Sequence, residues 1–254
     1  MSVRLALLCL MLALAGPARA EKLITTLSTS RVLIASNYTG SELVLFGAIE
    51  RDGATVPRAG NYDIVVTARG PRSTVTVREK DRAGLIYLNQ DRRKFADVPA
   101  YLAVLSSRPL KMIAGDPFRE KLKLGLDAII RGSDAPLSIN AEFEAFSDAL
   151  IRLKKDDGLF RENSRGVTFL SPNLFRAVIE MPAIAPLGPY EVEARLFADG
   201  VPLTVTTSPF EVSKVGFEAV VAQAARTRPW LYGFATVFMA LFSGWLASVA
   251  FRRD

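Results

Sequence analysis

Residues 186–205 read PLGPYEVEARLFADGVPLTV. Tyr190, Val192, Ala194 and Leu196 alternate with Glu191, Glu193 and Arg195, the two-residue period of a strand with one buried face. Asp199-Gly200 supplies a tight hairpin turn, and Leu203 and Val205 carry the return strand. Pro209, which cannot donate to a ladder, predicts a phase break before Phe210 and Val212. The decisive detail comes first: a glycine turn places Tyr190 at the opening of the alternating strand. That is the pattern of a tyrosine corner, in which the phenol hydroxyl bonds back to the backbone at one corner of an immunoglobulin-like sandwich. Tyr190 is therefore expected to be buried, with its hydroxyl on a backbone group. The expected fold is mainly β, an immunoglobulin-like β-sandwich over residues 21–214 with a two-helix insertion at about 116–156. Two separate half-domains are the alternative.

The rest of the exported region fits around that strand. KLITTL, RVLIAS, ELVLFGAIE, YDIVVTARG, GLIYLN and YLAVLSS are short apolar runs bounded by turn residues. STVTVREK puts Val75 and Val77 on one face, and LFRAVIEMP puts Phe175, Ala177, Ile179 and Met181 on one face. Between them the period changes. Asp116-Pro117 opens a helix, in which Phe118, Leu122, Leu126 and Ile129 recur at helical spacing until Gly132 stops it. A second helix fits Ser138 to Lys155, with Phe143, Phe146, Leu150 and Leu153 on one stripe.

The two ends set the compartment. Trp230 to Phe251 contains no charged residue, and Arg252 and Arg253 follow. Twenty-two residues at about 1.5 Å each span roughly 33 Å, the thickness of a bilayer core. Trp230 and Tyr232 stand at one edge, as interfacial aromatics do. At the start, Arg4, the apolar stretch Leu5–Ala15 and the small residues Ala18 and Ala20 form a secretory signal, expected to be cut after Ala20. The layout is then a leader over 1–20, a periplasmic domain over 21–214, and a juxtamembrane helix over 215–229. A transmembrane helix over 230–251 and a cytoplasmic tail over 252–254 complete it. This makes a single-pass protein of a bacterial inner membrane with its bulk in the periplasm. Along the membrane helix Thr236, Ala240, Gly244 and Ser248 recur every four residues, a small-residue face suited to packing against another helix.

Composition narrows the chemistry. The chain has no histidine, and its one cysteine, Cys9, lies in the leader. Disulfides, Ser-His-Asp or Cys-His catalysis, and the usual zinc, copper and haem ligand sets are thereby excluded from the mature chain. No cofactor and no metal is expected. The net charge is +6, spread along the chain except for one run, Arg92 to Lys94. That run is read as solvated surface, with attraction to anionic headgroups as its other use. A nucleic-acid partner is not expected in that compartment.

Several stretches carry a resemblance: TSRVLIASNYTGSELVLFGAI, AGLIYLNQDRRKFADVPAYLAVLSSRPL, FRAVIEMPAIAPLGPYEVEARLFADG and the LYGF…GWLA…FRR ending. Together they resemble the putative transmembrane protein family of alphaproteobacteria, over nearly the whole chain. The resemblance implies an exported domain on one C-terminal helix and carries over no catalytic residues. It also implies an association with a sulfite-exporter-type transporter, hence an accessory role. The expected function is a membrane-anchored periplasmic accessory or binding module, not an enzyme. Its partner is a membrane protein or, through the transmembrane helix, a second copy. The alternative is a carboxylate-dependent hydrolase of cell-wall glycan, with Glu142, Glu144, Asp156 and Asp157 as the nearest acid–base candidates.

Overall fold

A computed structural model describes residues 21–35, 38–50, 62–83, 86–132, 141–216, 221 and 224–250. The expected leader and the cytoplasmic tail lie outside the described residues, and the juxtamembrane helix lies partly so. Among the described residues twelve strands form two sheets and a hairpin. The first sheet is antiparallel, in the order β1 (Lys22–Leu27), β3 (Gly40–Glu50), β10 (Leu174–Pro182), β9 (Val167–Ser171). The second runs β2 (Arg31–Ile34), β12 (Val201–Lys214), β11 (Gly188–Ala198), β4 (Tyr62–Arg69), β7 (Leu102–Ser106), β8 (Phe160–Asn163). Its two outermost pairs, β2 with β12 and β7 with β8, are parallel.

In immunoglobulin lettering the first sheet is A-B-E-D and the heart of the second is G-F-C. Tyr190 opens strand F. One apolar core spans Leu23 to Val212, so the halves do not fold around separate cores. Phe175, Ala177, Ile179 and Met181 of β10 are buried, as are Tyr190, Val192, Ala194 and Leu196 of β11. The hairpin turn has Asp199 and Gly200 both at positive φ, 50° and 81°, the twist that a two-residue connection requires.

Three expectations change. Pro209 does not break the phase of β12. The irregularity lies earlier, where Leu196 pairs with Thr204 but Phe197 pairs with Pro202. From Thr204 onward the even residues face inward. Val205 is 54% exposed, while Thr206 donates its hydroxyl hydrogen to the Leu23 carbonyl at 2.8 Å and Ser208 meets Thr25 at 2.9 Å. The seam between β1 and β12 is thus closed by hydroxyls rather than by aliphatic side chains.

Second, among the described residues this stretch holds four helices where two were expected: α1 (Leu110–Ile113), which precedes the expected insertion, then α2 (Asp116–Lys121), α3 (Leu126–Arg131) and α4 (Ala141–Asp156), the expected helix start at Ser138 lying outside the described residues. The expected first helix breaks at Lys123 and Gly125, whose φ are 51° and 97°. Leu124 and Leu126 are both buried. Two residues apart on one helix they would point about 200° from each other; the break turns both to the core. Phe118 is correspondingly 47% exposed, and Leu153 of the second stripe is 51% exposed. Third, β8 and β9 were not anticipated.

α3 and α4 lie against β7 and β8, and Asp63–Ala68 of β4 are buried on both faces. The remaining strands, β5 (Arg72–Ala83) and β6 (Ile86–Pro99), pair only with each other. Their ladder continues that of β4 and β7. Arg69 pairs with Leu102, Gly70 N–H donates to the Tyr101 carbonyl at 2.9 Å, Ala100 N–H donates to the Pro71 carbonyl at 2.8 Å, and Arg72 pairs with Pro99. One long two-stranded ribbon therefore leaves the sandwich as an arm.

Candidate functional site

The arm's root is held by two tyrosines. The Tyr190 hydroxyl donates to the Pro186 carbonyl, four residues back, at 2.7 Å. The Tyr101 hydroxyl donates across the sandwich to the Glu180 carbonyl at 2.8 Å. Their rings pack at 5.7 Å, and Phe210 lies 4.9 Å from Tyr190. Burial pushes both phenols well above the ordinary tyrosine range, so both remain donors at any neutral pH. Gly70 lies between them, where an added Cβ would come 3.0 Å from each tyrosine side chain.

Beside this cluster the sheets part. β9 stops pairing with β10 at Val167↔Ala177, whereas β10 runs on to Pro182. On the facing sheet β8 lies in register with β7, Ala103 beside Arg161 and Leu105 beside Asn163. The gap is a cleft of about 460 Å³ with Tyr101, Ala103, Leu105 and Val178 among its walls and Lys155, Arg161 and Glu180 among its polar groups. That volume suits a small molecule or a short side chain. Arg161 and Glu180 are ion-paired, joining the two sheets. Glu162 points elsewhere: its carboxylate accepts the Leu126 N–H at 3.2 Å, satisfying one of the unpaired donors at the start of α3. Both carboxylates that line the cleft are thus engaged in holding elements together.

The four candidate carboxylates are not brought together. Glu142 and Glu144 lie in the first turn of α4, Asp156 at its end and Asp157 just beyond it. Twelve or more helical residues separate the two pairs, roughly 18 Å, against about 5–10 Å for the carboxyls of a glycosidase. Glu144 faces Arg131 at 3.7 Å, on the exposed side of the helix.

Sequence reasoning missed the cleft. Arg161 belongs to a four-residue strand with no alternation, and its partner Glu180 is nineteen residues away.

The C-terminal helix, α5 (Pro229–Ala250), is the one that the uncharged C-terminal run encodes. Its stretch Pro229–Val249 is long and apolar enough to cross a membrane, and none of it is buried against the rest of the protein. Thr236, Ala240, Gly244 and Ser248 lie along it, exposed. The Thr236 hydroxyl bonds back to the Gly233 carbonyl at 2.8 Å.

Residues 22–253 match the model of the family described as "Putative transmembrane protein (Alph_Pro_TM)". The chain belongs to this family. The match covers both the sandwich and α5, and family membership together with this long apolar helix fits a membrane-anchored protein. None of the curated proteins matches the chain. Among solved structures it is similar to the sporulation control protein Spo0M from Bacillus subtilis, at 10% identity over 82% of this chain and a TM-score of 0.29. The chain spans 55% of the length of that protein. A likeness of that size carries nothing about function.

Proposed function

We propose that this member of the family is an accessory or binding module, held at a bacterial inner membrane with its sandwich in the periplasm and its C-terminus in the cytoplasm. The observation that carries the reading is α5: twenty-two residues without a charge, unburied by its own domain, and joined to the sandwich through the short stretch after Lys214. A domain confined in this way meets a membrane partner at high effective concentration, so the contact itself can be weak. A transporter of the sulfite-exporter type is the partner the family resemblance suggests. The face formed by Thr236, Ala240, Gly244 and Ser248 is where a helix of that partner, or of a second copy, packs: small residues let backbones approach, and packing rather than hydrophobicity drives association in lipid. The cleft beside Tyr101 is the place on the sandwich for a ligand or a partner's side chain.

Purification of the tagged full chain in a mild detergent tests this. One integral membrane protein, or a second copy, is expected in stoichiometric amount, and it is expected to be lost when Gly244 is replaced by leucine while Phe238→Leu retains it. A monomer without companion in several gentle detergents would remove the accessory reading. Release of soluble glycan from purified cell wall by the full chain would replace it with the hydrolase.

A further inference from the structure

We propose that the cleft beside Tyr101 binds a small organic acid, with its carboxylate held by hydrogen-bond donors at the mouth and its carbon skeleton against the apolar walls. The proposal rests on the reading of the sandwich as a binding module and names the class of ligand that the module takes.

The cleft follows from the strand plan. β9 stops pairing at Val167↔Ala177, so among the described residues β10 is the last strand of its sheet at this level. On the facing sheet β7 and β8 are parallel and in register, which puts Ala103 and Leu105 on the same face as Arg161 and Asn163. All four line the cleft. Arg161 and Asn163 are exposed, at positions where a closed sandwich buries apolar residues. The sequence thus places polar groups where the missing cover would otherwise demand aliphatic ones.

The hydrogen-bonding capacity left over there is mostly donor. Glu162 accepts the Leu126 N–H, Glu180 is paired with Arg161, and the Asn163 Oδ1 accepts the Arg165 N–H at 2.9 Å. The Tyr101 hydroxyl is committed to the Glu180 carbonyl. Among the described residues nothing bonds the Lys155 ammonium or the Asn163 amide NH2. The backbone adds a third donor. Ile49 N–H donates to the Asn173 carbonyl, and bonding alternates along an antiparallel strand. Val178 and Glu180 therefore turn their backbone groups away from β3, and the Glu180 N–H is aimed at the cleft. An ionised carboxylate only accepts, which is what such a set of donors matches. The end of α4 lies here as well, and its last carbonyls disfavour an anion. The Gly158 and Leu159 N–H groups close on the Lys155 and Lys154 carbonyls, both at 2.9 Å, and satisfy them.

The inner walls set the rest of the ligand. Tyr101, Ala103 and Leu105 are buried and Val178 is half-buried, so the part of the ligand behind its carboxylate is apolar. A volume of about 460 Å³ stands in the lower part of the range for small-molecule pockets, about 300–1,000 Å³. The Arg161–Glu180 pair crosses beside the cleft from one sheet to the other, with side chains 44% and 55% exposed. A guanidinium carries five N–H donors, so Arg161 can receive a ligand oxygen while it keeps Glu180. The Glu180 carboxylate then competes with the ligand for the same cation.

The test is calorimetric titration of the full chain in mild detergent with 3-phenylpropionate and with its neutral amide. The acid is expected to bind saturably and the amide far more weakly. Lys155→Gln is expected to lower the affinity about tenfold, the lower end for a hydrogen bond to a charged group. Lys154→Gln, next to it on α4 but outside the cleft, is expected to leave it unchanged. Glu180→Gln, which removes the competitor for Arg161, is expected to raise it. Thermal unfolding of each variant checks that the sandwich is intact. No saturable binding of the acid, equal binding of acid and amide, an affinity unmoved by Lys155→Gln, or a fall with Glu180→Gln would each overturn the proposal. A third titrant, an N-acetylated and C-amidated tetrapeptide with a single glutamate, separates a free acid from a partner's acidic side chain. Tighter, Lys155-dependent binding of the peptide would give the cleft to a protein partner and overturn the small-molecule ligand. The same preparation shows whether a membrane companion co-purifies. A companion without acid binding would overturn the ligand and leave the accessory reading, and acid binding without a companion would uphold the ligand and remove that reading.

Discussion

The same ribbon behaves in two ways along its length. As β4 and β7 it is covered, with Asp63–Ala68 and Leu102–Ser106 all buried. As β5 and β6 it keeps its ladder but is less covered: among the arm residues whose burial is described, 72–80 and 91–99, Thr74, Thr76, Arg78 and Lys80 are exposed, and Val77, Phe95, Val98 and Pro99 are the buried ones. The local sequences differ accordingly. YDIVVTAR is a nearly continuous apolar run, as a strand covered on both faces requires, whereas STVTVREK alternates and then becomes charged. Hydrogen bonding is alike in the two regions. What separates them is the apolar area available to oppose the entropy of ordering the chain; in the arm Phe95 draws on α4, packing against Phe143 at 5.9 Å.

The sharpest way to break this contrast is Phe143→Ala. If α4 braces the arm, losing that ring should cost about 3–5 kcal/mol, the usual range for a buried phenylalanine, in chemical denaturation of the full chain in detergent. A cost under about 1 kcal/mol would mean that the arm stands without the helix.

Next in size is a test of the sandwich's own electrostatics. Glu193 lies between Arg69, at 3.1 Å, and Arg195. Burial acts to raise its carboxyl, but the hydrogen bond from Arg195 and the two positive charges outweigh it and leave it below the ordinary value of 4.5. A carboxyl whose pKa is lower when folded contributes stability above the unfolded value and loses it as pH falls through the folded one. Glu193→Gln should therefore cost about 1.5 kcal/mol at neutral pH and flatten part of the acid limb of a stability–pH profile. An unchanged acid limb would show that the Arg69–Glu193–Arg195 group is not coupled to folding.

A smaller effect, about 1 kcal/mol, is expected from Tyr190→Phe, which keeps the ring against Tyr101 and Phe210 and removes only the bond to Pro186. Thermal unfolding reads it, and no loss at all would mean that water replaces the corner bond without cost. The smallest is expected at the far end of the arm. Arg78→Ala or Lys80→Ala should change stability by less than about 0.5 kcal/mol, as for exposed sites generally. A larger loss would show that the distal ribbon is part of the fold after all.

Several features were legible because local chemistry decides them. Tyr190 can open a strand and bond back four residues whatever lies across the sheet, so the corner and the hairpin at Asp199-Gly200 were readable from twenty residues. The same holds for β10, whose four inward residues sit at strict spacing, and for α5, whose length and lack of charge are matched to a bilayer rather than to a neighbour. The break at Lys123–Gly125 was not legible in that way. Phe118, Leu122, Leu126 and Ile129 do have helical spacing, and only the demand that Leu124 and Leu126 share one core overrides it.

Sequence alone thus determined ten of the twelve strands, the corner and the long apolar helix, because each depends on neighbours within a few residues. Tertiary structure alone decided that Arg161 meets Glu180, that Glu162 caps a helix thirty-six residues away, that β8 extends a sheet, and that β5 and β6 continue the ladder of β4 and β7. Those outcomes depend on which distant surfaces are packed together, and the energy of such contacts is not contained in any one segment.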